Sequence, residues 1–223
     1  MNNLEKFNFF STPVWKMNLP TYLKDLNKAS DPYIKKAKKF YQKYIKERDK
    51  KNKKKIKDKY LSFNSTPLLT DRNFYNFQNL CAEYSIEFLN ECGFDISKRE
   101  LLFTEMWVQE FSQNGGGHHV PHVHYNQHVS GFYFLKCSEK TSYPVFHDPR
   151  PGALMTKIES KDNKQINSAS AAVALNIVPG DLVIIPGYLT HEYPTDFGQD
   201  PFRFIHFNIQ CLPKSEIMGE VPL

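Results

Sequence analysis

The residues in this sequence that could do chemistry are its histidines. There are eight; none lies before residue 118, and five fall between His118 and His128, in GGGHHVPHVHYNQH. A neutral imidazole offers a metal ion a lone pair at physiological pH, so a cluster of them points to metal chemistry. In an extended segment, residues two apart point to the same side, and His122 and His124 can therefore present two rings to one point. His118 shares their parity, but the glycine run and Pro121 make its backbone irregular. A third ligand must come from elsewhere. His191 is the candidate: it follows VPGDLVIIPGYLT, an apolar run between two proline–glycine breaks. Three such ligands would leave coordination positions open for oxygen and a small molecule. His147 and His206 have no partner in sequence and read as structural or supporting.

Arg203, twelve residues after His191, opens PFRFIHFNIQ. An arginine facing into a β-domain needs an anion, because an unpaired buried guanidinium is costly, and its planar fork suits a carboxylate. That anion is either a bound dicarboxylate or an internal partner such as Asp181, Glu105 or Glu110. Trp107 and Gln109 share one strand beside the presumed site, and Tyr133, in SGFYFL, could donate to a carboxylate. Gly115–Gly117 reads as a flexible lip ahead of the ligands. Asp148, in FHDPR, reads as the partner of Arg150 rather than as a ligand.

The elements that must position these residues are mostly strands. From residue 101 on, LLFTEMWVQEFS, SGFYFLK, YPVFH, ALMTKIE, AAVALNIV, DLVIIPG and FRFIHFNIQ are short β-branched or aromatic segments separated by turn residues, which predicts a sandwich or barrel. Ahead of them, FNFFSTPVWK reads as an extended segment. Asp31 as N-cap and Pro32 at the first helical position predict a basic helix, with Tyr33, Phe40, Tyr41 and Tyr44 on a single packing face. Asp71 opens a second helix whose apolar stripe runs Phe74, Phe77, Cys81, Tyr84 and Phe88, and Gly93 is placed to end it. Residues 1–100 thus read as helices buttressing a β-core at 101–223, one compact domain overall.

With 223 residues, 40% of them hydrophobic and 14% aromatic, the chain can fill one substantial core. No run of 18 apolar residues could span a membrane. Four scattered cysteines and a start without a secretion signal suggest reduced thiols and a cytoplasmic location. Charge is uneven: residues 32–59 hold 14 Lys/Arg against 3 Asp/Glu. Such a segment could grip phosphates, which makes nucleic acid an alternative partner, although the helical spacing of its aromatics favours packing.

Taken in order, HVHYNQHVSGFYFLK, VFHDPRP, VPGDLVIIPGYLTHEYP and RFIHFNIQ resemble the 2-oxoglutarate/Fe(II)-dependent oxygenases of bacteria and phages over about residues 101–212, with a weaker echo in STPVW. The resemblance implies a mainly β fold with N-terminal helices, a double-stranded β-helix (jelly roll), with Fe(II) and 2-oxoglutarate as cofactors. It implies a dioxygenase that hydroxylates a small-molecule or peptide substrate and releases succinate and CO2. His122 and His191 match the iron ligands and Arg203 the residue binding the far carboxylate, with Tyr133 and Gln109 as further pocket residues. His124 stands where the wider superfamily has a carboxylate, leaving the site one positive charge higher. A cupin reading uses the same residues, as Gly116-x5-His122-x-His124 and Gly180-x5-Pro186-x4-His191, but His128 and Val129 stand where its glutamate belongs; it implies a metalloenzyme without 2-oxoglutarate. A third reading is a jelly-roll binding module contacting nucleic acid through residues 32–59.

Overall fold

The computed structural model describes residues 5, 7, 9–151, 158–162 and 164–214. The chain runs β1 (Trp15–Asn18), α1 (Leu23–Lys51), β2 (Ser62–Asn64), α2 (Tyr75–Glu91), β3 (Arg99–Phe111), β4 (His119–His122), β5 (Val129–Lys136), β6 (Val145–His147), β7 (Ala172–Ala174), β8 (Asp181–Pro186), β9 (His191–Tyr193) and β10 (Arg203–Pro213). Most of the expected ALMTKIE strand falls outside the described residues. Two antiparallel sheets face each other: β1-β8-β5-β10-β3-β2, and the smaller β4-β9-β6-β7. This is the jelly-roll-like architecture that the sequence implies.

Side-chain alternation along the strands splits the interior into two cores. On β10, Phe204 packs with Phe132, Phe134, Phe111, Phe202 and Tyr193 between the sheets. Its neighbours Ile205, Phe207 and Ile209 point the other way, joining Met106, Val108, Leu182 and Ile184 under the helices with Leu26, Ile34, Phe74, Phe77 and Phe88. A Cβ on Gly131 would lie 2.2 Å from the Phe207 ring, so only glycine lets β5 pass that ring.

The helices differ from expectation in one respect. The first starts at Leu23, not Asp31, and runs through Pro32. Leu26, Ser30, Ile34 and Ala37 form a continuous buried face, and packing along it outweighs the one hydrogen bond a proline removes. Tyr33 packs inward against Phe74 and Tyr41 against Phe63, whereas Phe40 and Tyr44 are exposed. The four aromatics therefore do not share one packing face. Asp71 accepts a hydrogen bond from the Asn73 backbone at the turn into α2, and Gly93, at φ +84°, follows that helix.

Asp31, freed from a capping role, reaches the sheet. Its carboxylate lies 2.6 Å from Arg203 Nη1, while Arg203 Nε and Nη2 contact Glu110 Oε2 at 2.7 and 2.6 Å. Lys38 of α1 also pairs with Glu110. Arg203 and Glu110 are each only 4% exposed, so removing one partner leaves a buried charge. Replacing Glu110 by Ala should lower the unfolding free energy by about 3–5 kcal/mol in denaturant titrations. Lys43→Ala, which breaks only an exposed pair with Glu47, should change it by less than about 1 kcal/mol. Equal effects would show that the Arg203 network does not tie helix to sheet.

Candidate metal centre

The site lies between the sheets, at one end of the large one. Antiparallel pairing sets His122 of β4 directly opposite His191 of β9, with ring centroids 4.4 Å apart. β4 ends at His122, so His124 is not carried on a continuous strand. It sits in the turn that follows, where its backbone N–H donates to the Gly187 carbonyl (2.9 Å), and its ring centroid lies 5.2 Å from that of His122 and 5.0 Å from that of His191. One ligand nitrogen from each of the three lies within 4.8 Å of the others.

The hydrogen bonds leave two of these rings ready to accept an ion. His122 Nδ1 is 2.8 Å from the Val120 carbonyl and His191 Nδ1 is 2.9 Å from the Leu189 carbonyl. A carbonyl can only accept, so both protons sit on Nδ1 and both Nε2 lone pairs are free. His124 Nε2 stands 3.3 Å from His191 Nε2, a separation suited to two nitrogens each about 2.0–2.1 Å from one ion. Burial and the neighbouring imidazoles push the pKa of His124 down to about 2, and burial brings His191 down to about 3. Both are therefore neutral, the form that binds metal, across the physiological range.

Behind the three rings the inner faces of β3, β9 and β10 form a graded lining. Asn208, Glu105, His206 and Trp107 lie nearest His124: Asn208 Nδ2 is 3.0 Å from His124 Nδ1, and His206 stacks on His124 at 4.6 Å and on Trp107 at 4.6 Å. Glu105 is held below the usual carboxylate range chiefly by His206, although the 3.7 Å between them is too long for a hydrogen bond. Further along come Gln109, His119 and Tyr193, and then Phe111, Phe202 and Phe204. Gln109 Nε2 is 2.7 Å from His119 Nε2, and His119 packs on Tyr193 at 5.7 Å. The Gln109 Oε1 and the Tyr193 hydroxyl, each in a residue 1% exposed, have no hydrogen-bond partner.

Two expected pocket residues are not in this lining. Arg203 lies on the same face of β10 as Ile205 and Phe207, toward α1, and its fork is taken by Glu110 and Asp31. Tyr133 also faces the helices, donating to the Leu19 carbonyl (2.8 Å) and packing on Phe77. Alternation is the physical reason for both: Phe204 and Phe132, which do face the site, are their immediate neighbours. Gln109 faces the site as anticipated. Gly115–Gly117 is pinned rather than loose, since Gly116 N and Gly117 O bond to the Asp196 backbone at 2.7 Å each and Gly115 O accepts from Tyr60 N at 2.9 Å. Asp148 pairs with Arg150 (2.7 Å) and His147 with Glu192 (3.1 Å). Spacing alone missed His206, Asn208, Glu105, His119 and Tyr193. The parity of RFIHFN held part of that signal, because Arg203 and His206 cannot face one side of a regular strand together.

Residues 105–208 match the family model described as "Putative 2OG-Fe(II) oxygenase". That span contains the second half of β3, all of β4 to β9, the first half of β10, and all eight histidines. Over those residues, a little under half of the chain, the β-domain is similar to the 2-oxoglutarate/Fe(II) oxygenases. Among solved structures, AviO1 from Streptomyces viridochromogenes Tue57 superposes with a TM-score of 0.56 at 10% identity, over 91% of each chain, which speaks for a shared fold. EvdO2 from Micromonospora carbonacea var. aurantiaca, complexed with 2-oxoglutarate, gives 0.41 at 14% identity over 66% of this chain and 63% of that one. A 2OG-Fe(II) oxygenase family oxidoreductase from Burkholderia pseudomallei gives 0.39 at 11% identity, over 64% of this chain and 54% of that one. The chain thus spans little more than half of the Burkholderia structure, and these two likenesses are too distant to carry an argument. No curated protein matches the chain in sequence.

The family's cofactors are Fe(II) and 2-oxoglutarate, and this lining can be tested against both. The Nε2 atoms of His122 and His191 fit the ion as they stand, and His124 Nε2 completes the set on giving up the proton it carries while Nδ1 accepts from Asn208. The far carboxylate of 2-oxoglutarate finds no guanidinium here, but the Tyr193 hydroxyl, the Gln109 amide and the His119 ring form a neutral polar layer with two unpartnered atoms. A buried polar atom left unpartnered costs about 1–3 kcal/mol, which an arriving carboxylate would recover at the Tyr193 hydroxyl by accepting its proton; Gln109 Oε1, itself an acceptor, would face it only by turning the amide so that Nε2 donates.

The depressed histidine values fix a pH dependence. An unfolded histidine titrates near about 6.5, whereas folded His191 waits until about 3 and folded His119, desolvated by burial, until about 4. Between these limits the unfolded chain binds more protons, so stability falls as pH falls and is recovered as pH rises above about 6.5. The thermal midpoint of chelator-treated protein should drop steadily from pH 7.5 to 5.5, and His191→Asn should flatten the slope. A flat profile in the unsubstituted protein would contradict this account of the buried rings.

Proposed function

We propose that the chain is an Fe(II)- and 2-oxoglutarate-dependent dioxygenase, with His122, His124 and His191 holding the iron. The observation that carries the reading is the convergence of these rings, with His122 and His191 each locked by a backbone carbonyl into the tautomer that presents Nε2. When bound, the ion and 2-oxoglutarate together supply oxidation of an unactivated C–H bond coupled to release of succinate and CO2.

The protein's own part is placement and exclusion. The Val120 and Leu189 carbonyls fix two rings by bonding their far nitrogens. Phe132, 5.2 Å from His191, with Phe204 behind it, keeps water from the inner side of the ligands. Tyr193, Gln109 and His119 receive the far carboxylate of 2-oxoglutarate through neutral donors. Substrates of the small-molecule class suit a family of this kind, and the open end of the sheet beside His122 is where one would approach.

Anaerobic addition of 2-oxoglutarate to Fe(II)-loaded protein should produce a weak visible charge-transfer band, absent in His124→Ala and His191→Ala. Tyr193→Phe should raise the 2-oxoglutarate concentration for half-maximal band about tenfold while leaving Fe(II) binding unchanged, the loss of one buried hydrogen bond to a charged group. One observation favours the cupin-like alternative, a metalloenzyme without 2-oxoglutarate: Arg203 faces away from the site. Iron binding without any band in folded protein would establish that alternative and overturn the dioxygenase reading.

A further inference from the structure

We infer a second metal-binding set, formed by Glu105, His124 and His206, that shares His124 with the three-histidine set. One ligand atom from each of these residues lies within 4.8 Å of the others. The inference relies on the proposed function only through the shared ring; Glu105 and His206 have no part in that reading.

His206 supplies the independent observation. Its side chain is wholly buried, and neither ring nitrogen has a hydrogen-bond partner. The nearest anion, Glu105 Oε1, is 3.7 Å from Nε2, too far for a direct hydrogen bond and close enough for an ion to be held between them. A buried imidazole with both nitrogens orphaned is unfavourable in an interior packed this tightly, unless a ligand completes it. Trp107 and Phe132 pack on the ring and hold it in place.

The hydrogen bonds around Asn208 direct His124 toward this set. Asn208 donates its amide N–H to the Glu105 carboxylate, which can only accept, and this fixes the orientation of the amide. The same nitrogen faces His124 Nδ1 at 3.0 Å, so Nδ1 must carry the lone pair. In the ion-free protein the neutral His124 therefore turns the lone pair on Nδ1 toward Asn208 and Glu105, and its Nε2 proton faces the free Nε2 lone pair of His191 at 3.3 Å. The two sets use opposite nitrogens of one ring; a neutral imidazole has a single lone pair, so filling both releases the Nε2 proton to solvent and leaves His124 as an imidazolate bridge between the two ions. At present the Asn208 amide takes the place between Glu105 and His124 that a cation would take.

The donor chemistry indicates the class of ion. Two imidazoles and one carboxylate suit divalent first-row metals and leave open positions. Unlike the three-histidine set, this one brings a negative charge to the ion, supplied from β3 rather than from position 124. Glu105 remains about half exposed, with its side chain at 45%, so an ion can reach the set from solvent.

Co(II), whose visible absorption reports its coordination, is a suitable probe. The native chain should titrate two Co(II) ions, and Glu105→Gln should abolish one step and keep the other. In the His122→Ala/His191→Ala double variant one Co(II) should still bind. Adding Glu105→Gln to that variant should weaken binding by at least the about 100-fold that loss of even an outer partner can cost. Failure of the double variant to bind Co(II), with circular dichroism and cooperative melting unchanged, would overturn the inference. If that variant does not fold, Glu105→Gln alone decides: its side chain is half exposed, and a Co(II) stoichiometry unchanged from the native chain would overturn the inference equally. The outcome can be read apart from the proposed function, because the double variant lacks His122 and His191, and a missing 2-oxoglutarate band in the native chain would not affect it.

Discussion

A β-strand gives each residue one of two faces, and along β10 this constraint organises the protein. Arg203, Ile205, Phe207 and Ile209 turn to the helices, while Phe204, His206 and Asn208 turn to the space between the sheets. The charged strap and the metal centre are therefore two sides of one strand, and neither can shift by a residue without exchanging places with the other. β3 repeats the division, with Met106, Val108 and Glu110 on the helix side and Glu105, Trp107 and Gln109 on the inner side. The pairing of Arg203 with Glu110 across β10 and β3 locks that register.

The two faces use opposite electrostatic strategies. On the helix side, charges are buried and matched: Arg203 meets Glu110 and Asp31, and Lys38 adds a second cation to Glu110. Between the sheets the buried histidines are kept neutral by burial, and the unsatisfied atoms concentrate on Gln109, Tyr193 and His206. Unsatisfied groups in an otherwise close-packed interior mark where something is meant to bind. The match of residues 105–208 to an oxygenase family and the location of these atoms beside the histidines lead to the same place by separate routes.

Much of this was legible in the sequence. The β-character after residue 101, six of the seven expected strand segments, and the pairing of HxH with a distant histidine follow from local pattern. β4 and β9 were not legible, since each is three or four residues long and carries ligands rather than an apolar repeat. For Arg203 the residue pattern leaves a bound dicarboxylate and an internal partner both open, and the strand pairing decides for one of the named partners, Glu110, against the role that the resemblance implies. Asp31 and Pro32 looked like the start of a helix because capping chemistry is local. The buried stripe Leu26–Ser30–Ile34–Ala37, a tertiary effect, extended the helix past them. His206 has no neighbour in sequence to signal a role, because Glu105 and His124 are brought to it from a neighbouring strand and a distant turn.

The strap from α1 bears on what can be cut away. The portion that matches the family begins at Glu105, but its sheet shows the helices Leu182, Ile184, Ile205, Phe207 and Ile209, together with an arginine–glutamate pair whose third member is Asp31. Excised at the edge of the match, the strands would present to water an oily wall with a charge cluster sunk in it, and would tend to aggregate. The smallest unit that can live independently is thus larger than the recognisable one, and the residues that make it self-sufficient lie where family likeness has already faded.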